Sequence, residues 1–140
     1  DKRNTLLITA DMAQAGKLDE TAGIETHTGA RGFRNTPVWA EHLLTDTEKT
    51  TVFTGSAKEA IVTFPRRVNV AVATSLATTG PDITQVTMHS VPGWTGDDHC
   101  ITAEIDGVKA TVDICSSTSA IAGWSAVALL RNLASPVCFY

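Results

Sequence analysis

The spacing of hydrophobic and polar positions changes several times along the chain, and each change predicts an element. Residues 5–9 form a short apolar run with β preference. Met12-Ala-Gln-Ala15 then predicts a helical turn that stops at Gly16. Residues 24–28 alternate as a half-buried strand does, and Gly29, Gly32 and Asn35-Thr36-Pro37 predict a loop. A brief helix is expected over 39–44 and a β-branched, aromatic strand over 51–54. Ser56-Ala-Lys-Glu59 is a capping box, in which the Ser and Glu side chains satisfy backbone donors that a helix start leaves unpaired. It predicts a helix running to residue 63. Phe64-Pro65 must interrupt that helix, because proline brings no amide hydrogen and disfavours helix before it.

Residues 68–78 are expected to form an apolar helix, ended by Gly80-Pro81. Residues 83–91 alternate as a strand. Residues 99–105 and 108–115 flank Asp106-Gly107, a dipeptide suited to a two-residue hairpin turn. The longest helical pattern covers 119–133, and 136–140 reads as a closing strand. Mixed strands and helices with a late antiparallel hairpin predict an α+β fold: a mixed or antiparallel sheet covered by helices. No repeat, low-complexity stretch or linker divides the chain, so residues 1–140 are read as one domain.

Composition narrows the function. At 140 residues, 43% hydrophobic and 19% charged, the chain is long enough to bury one core. A net charge of −4 excludes a nucleic-acid footprint, which needs clustered Lys and Arg. Arg31, Arg34, Arg66 and Arg67 are spread over two segments and read as solvated. No stretch reaches the ~18 apolar residues expected of a membrane span, and the opening residues carry no signal-type apolar core. Cys100, Cys115 and Cys138 lack C-x-x-C spacing and read as buried, reduced thiols of a cytoplasmic protein. Without His or Cys in close pairs, no metal site is expected. The ten glycines complete neither G-x-G-x-x-G nor a P-loop, so no nicotinamide nucleotide site is expected in this chain alone.

Three blocks carry a resemblance. Gly55-Ser56, Glu59-Ala60, Phe64-Pro65 and Asn69-Val70-Ala71 follow the order G-S-x-x-E-A-x-x-x-F-P-x-N-x-N-V-A. Val86-Thr-Met-His-Ser-Val-Pro92 is followed at the same spacing by His99. Thr118-Ser119, Ser125 and Leu130-Arg-Asn-Leu133 form the third. In this order they resemble the C-terminal, substrate-handling domain of the L-aspartate dehydrogenase family, without its N-terminal Rossmann domain. The resemblance implies that domain's α+β fold and makes His99 the acid/base group for interconverting imine, carbinolamine and keto acid. Histidine suits that task because its ordinary pKa lies near ~6.5. Asp97 and Asp98 are placed to orient its ring or raise its pKa.

Asn69 matches the second Asn of the family pattern and is a candidate for orienting a substrate carboxylate, with helix capping as the alternative. Ser56, Thr118 and Ser119 stand at helix starts, where capping and anion binding are both open. Departures matter too: Arg67 replaces the first Asn, Val91 replaces an Asp, and Ile8-Thr-Ala-Asp-Met-Ala13 stands where the family has a glycine-rich loop. They add Arg67 and Ser90 as substrate-binding candidates and His89 as a second catalytic candidate. Trp39, Trp94 and Trp124 could wall an aromatic substrate pocket, with core packing as the alternative, and Trp94, in the loop before His99, is the substrate-binding candidate among them. The family's final helix packs on the nucleotide domain, so residues 119–133 are expected to meet a second copy or a partner chain.

Three functions follow. The absent nucleotide signature and the altered cleft favour a stand-alone enzyme acting on an amino-acid-derived amine or imine, by condensation, hydrolysis or a Pictet–Spengler-type closure. A second reading is the substrate half of an NAD(P)-dependent amino-acid dehydrogenase whose nucleotide part lies elsewhere. A third is a non-catalytic module binding a small acid.

Overall fold

The computed structural model describes residues 21–105 and 108–117, together with 127, 130 and 131. Among them, five strands form one mixed sheet: β1 (Thr21–Thr28), β2 (Thr50–Ser56), β3 (Gln85–Ser90), β4 (Asp97–Ile105) and β5 (Val108–Ser116). Their order is β2-β3-β1-β4-β5. β1 and β3 run parallel, and the other neighbours are antiparallel. Two helices, α1 (Ala57–Thr63) and α2 (Asn69–Ala77), lie between β2 and β3 in the chain. This is the α+β architecture the hydrophobic pattern predicts.

The local signals account for most of these elements. Ser56 Oγ accepts from the Glu59 amide while Glu59 Oε2 accepts from the Ser56 amide at 2.7 Å, so the capping box is complete. Phe64 ends α1 in a non-helical conformation before Pro65. Gly80, at φ 85°, turns the chain after α2, and its amide donates to the Ser75 carbonyl. Ile105 pairs with Val108 across the expected two-residue turn. Other boundaries shift. β1 starts three residues before the apolar alternation, and the expected helix over 39–44 is one 3-10 turn, Glu41–Leu44. A second 3-10 turn, Ala30–Phe33, occupies the loop expected after β1.

The core sits between one sheet face and the helices. Ile24, Val86, Met88 and Ile101 point from the sheet towards Ala57, Ala60, Phe64, Val68 and Ala71, with Phe33 closing one side. Phe64 meets the edge of Phe53 at 5.3 Å between ring centroids. Burying a ring of this size contributes about 1.5–3 kcal/mol. The other sheet face, which no described helix covers, carries Glu25, His27, Thr87, His89, Asp98 and Cys100.

That second face corrects the reading of the cysteines. Cys115 is exposed and Cys100 half-buried, because their registers with Asp98 and Glu25 place them on the polar face. The Asp98 carboxylate, hydrogen-bonded to the Cys115 thiol, pushes that thiol above its usual range. The expected strands at 5–9 and 136–140, the turn at 12–15, Thr118, Ser119, Trp124 and Cys138 lie outside the described residues. Of the expected closing helix, Val127, Leu130 and Arg131 are helical and exposed. No helix among the described residues is long and apolar enough to cross a membrane.

Candidate functional site

Strand polarity gathers the candidate residues at one end of the sheet. Thr28 at the end of β1 pairs with Ser90 at the end of β3 and with Asp97 at the start of β4. The loop after β1 and the 91–96 loop close over this end. The Val91 amide donates to the Thr28 carbonyl at 2.9 Å, and the Trp94 amide donates to Val91 at 3.2 Å. Gly29 is required where the loops touch, since a Cβ there would lie 2.2 Å from the Trp94 carbonyl oxygen.

On the helix-covered face, Thr26 pairs with Met88 on one side and His99 on the other. The Thr26 hydroxyl and His99 Nδ1 are hydrogen-bonded at 3.1 Å, which fixes the imidazole against a buried strand. Adjacent Asp98 cannot orient that ring from within the sheet. Alternation sends its side chain to the opposite face, where it pairs in register with His27 and Cys115. Asp97, two residues before His99, lies on the same face, and the hydroxyl of Thr26 meets the ring from the next strand, a partner the sequence reading missed.

Asn69 is the first residue of α2 and is exposed. The N-cap is Val68 and no side chain caps the helix, so the capping alternative for Asn69 is not observed. Arg67 is exposed, and its guanidinium donates to the Arg34 carbonyl at 3.4 Å, tying the turn before α2 to the loop after β1. Ser90 is buried at the end of β3, while Trp94 is partly exposed in its loop. Arg34 lies over the Trp39 ring at 5.6 Å, which accounts for Trp39 as packing. The capping box accounts for Ser56.

His89 does not join His99. Its register with His27 places it on the polar face, so the two catalytic candidates stand on opposite sides of the sheet. There His89 meets residues the sequence reading did not single out. Its Nε2 lies 2.7 Å from Glu25 Oε1, and His27 Nε2 lies 3.2 Å from the same oxygen. Lys49 donates to that oxygen at 3.2 Å, and the Thr51 hydroxyl is hydrogen-bonded to His89 Nδ1 at 3.0 Å. The two imidazoles stack at 5.0 Å. Burial lowers the His89 pKa, with the Lys49 charge adding and Glu25 opposing. Partial burial pushes the Glu25 carboxyl up, but the hydrogen bond from Lys49 and the surrounding positive charge hold it below its usual range. The absence of a close His pair in the sequence is therefore no guide to space. Glu25 and His27, two apart on one strand, were the available signal.

Comparison with known proteins agrees with this architecture. A sequence model described as aspartate dehydrogenase, C-terminal, matches residues 9–133. An L-aspartate dehydrogenase of Bordetella bronchiseptica is 36% identical over 115 residues, covering 76% of this chain and 42% of the relative. One of Bradyrhizobium diazoefficiens is 38% identical over 93 residues, 62% of this chain and 33% of its own length. The crystal structure of aspartate dehydrogenase from Thermotoga maritima superposes with a TM-score of 0.74 at 25% identity, covering 100% of this chain and 52% of that one. The chain thus spans about half, or less, of the proteins it resembles. It belongs to the aspartate dehydrogenase C-terminal domain family.

Proposed function

We propose that this chain is the substrate-handling part of an NAD(P)-dependent L-aspartate dehydrogenase, with His99 as its acid/base group. The observation that carries this is the Thr26–His99 hydrogen bond, which holds the family-matched histidine at the sheet end closed by the 29–36 and 91–96 loops. Exposed Asn69, at the start of α2 two residues after the Arg67 that ties this turn to the loop after β1, is the group for the substrate carboxylate. A histidine able to take and return a proton near neutral pH serves the water addition and ammonia loss that follow oxidation at the α-carbon.

The start of α1 does not fit a nicotinamide nucleotide. Its amides are already engaged, Ser56 by the Glu59 carboxylate, Ala57 by the Thr84 carbonyl, Lys58 by the Pro81 carbonyl and Glu59 by Ser56 Oγ, and the Glu59 carboxylate would repel a pyrophosphate. Hydride transfer therefore belongs to a separate nucleotide-binding part. The relatives are named dehydrogenases over most of this chain's length, which supports this reading over a stand-alone imine-closing enzyme.

The test is to join this chain to the nucleotide-binding part of the Bordetella bronchiseptica relative and follow NAD(P)H oxidation with oxaloacetate and ammonia. Turnover that falls about 100-fold or more in His99→Gln is the expected result. A folded fusion without turnover, with the chain alone condensing an amine and an aldehyde, would favour the imine-closing reading.

A further inference from the structure

We propose that Glu25, His27 and His89 form a binding site for a divalent transition metal of the Zn2+ class on the face of the sheet opposite α1 and α2. This site is separated from the His99 face by the sheet itself and does not depend on the dehydrogenase reading. Two imidazoles and one carboxylate are a three-ligand set that zinc accepts with a fourth position left to water. Glu25 and His27 project from β1 on the same face, and the parallel register of β1 with β3 sets His89 beside His27. One ligand atom from each of the three lies within 4.8 Å of the others. Tetrahedral zinc ligands stand about 3.4 Å apart, so small side-chain rotations complete the site.

Two features point to a cation at this position. His89 Nε2 is buried and has no aligned hydrogen-bond partner, although a carboxylate oxygen lies 2.7 Å away. A ring nitrogen and a carboxylate held this close, off the line of a hydrogen bond, are stabilised when both lone pairs meet one positive centre. The second feature is the Thr51 hydroxyl on His89 Nδ1. Metal-bound histidines have their other ring nitrogen fixed by such a partner, which sets the tautomer and aims Nε2. Lys49 Nζ, 3.2 Å from Glu25 and 3.4 Å from His27 Nε2, supplies positive charge there now and would be displaced by the metal. Metal entry also tilts the stacked rings apart, since near-parallel imidazoles cannot both aim at one ion.

Titrating the tag-free 140-residue chain with Zn2+ and Co2+ tests the site, by calorimetry and by the visible absorption of Co2+. The expected result is one saturable ion, nitrogen and oxygen ligation without a thiolate band, and a raised melting temperature. Glu25→Gln and His27→Gln, both at partly exposed positions, each weaken binding about 10-fold or more. Lys49→Met tightens it about 3-fold. His89→Gln, checked for folding by circular dichroism, abolishes it. Either of two outcomes overturns the proposal: no saturable binding by the intact chain, or binding that survives Glu25→Gln and His27→Gln and disappears in Cys100→Ser or Cys115→Ser.

Discussion

Thr26 and His99 show how one side chain acquires a role through its neighbour on the next strand. The threonine is nearly fully buried, so its hydroxyl requires a partner, and His99 Nδ1 provides it. Replacing Thr26 with valine keeps the shape and removes the bond. The expected cost is about 1 kcal/mol of stability, with a shifted His99 ring titration by NMR, while Thr26→Ser restores the titration. An unchanged titration in Thr26→Val would remove the positioning role. Gly29 makes the complementary case for backbone. Gly29→Ala drives a methyl group into the Trp94 carbonyl, so a loss of about 1–3 kcal/mol is expected in denaturant melts, with altered signals across the 91–96 loop.

At the scale of elements, the capping box was legible because both partners lie within one turn of chain. Ser56→Ala should cost about 1 kcal/mol. The Ser56 amide and hydroxyl, hydrogen-bonded to the Glu59 carboxylate, lower its pKa. The ionised, folded form is therefore favoured, and its contribution is fully present above the unfolded pKa of about 4.3. That contribution is lost as pH falls through the lower folded value. Glu59→Gln should flatten the acid side of the stability–pH curve, and melts between neutral and acidic pH measure this directly. The break at Phe64-Pro65 was equally readable. Less so was the part Phe64 plays afterwards, with its ring buried against Phe53. Phe64→Ala is expected to cost about 3–5 kcal/mol. The expected helix over 39–44 shortened to a 3-10 turn, since only Leu43 of that turn is buried to hold it.

For the whole molecule, the order β2-β3-β1-β4-β5 puts the parallel pair β1–β3 at the centre, with β2 and β5 as outer strands among those described. Amide exchange should be slowest in β1, β3 and β4, each hydrogen-bonded on both sides, and faster on the outward edges of β2 and β5. Uniform exchange across the sheet would contradict this order. The same topology sorts the histidines: each strand presents alternate residues to opposite faces, so Asp98 and His99 part company although they are neighbours in sequence. His27 and His89, distant in sequence, become neighbours.

The sequence by itself determined the class of fold, the helix start at Ser56, the break at Pro65, the hairpin and the family that nominates His99. Each of these rests on residues within a few positions of one another or on a spaced motif. Only the tertiary structure decided which side chains meet. Strand register is set by burying one face of the whole sheet, and no short window of sequence contains that information. It separated His89 from His99, set Thr26 beside the His99 ring while turning Asp98 to the opposite face, and drew Glu25, His27 and His89 together on the face away from α1 and α2.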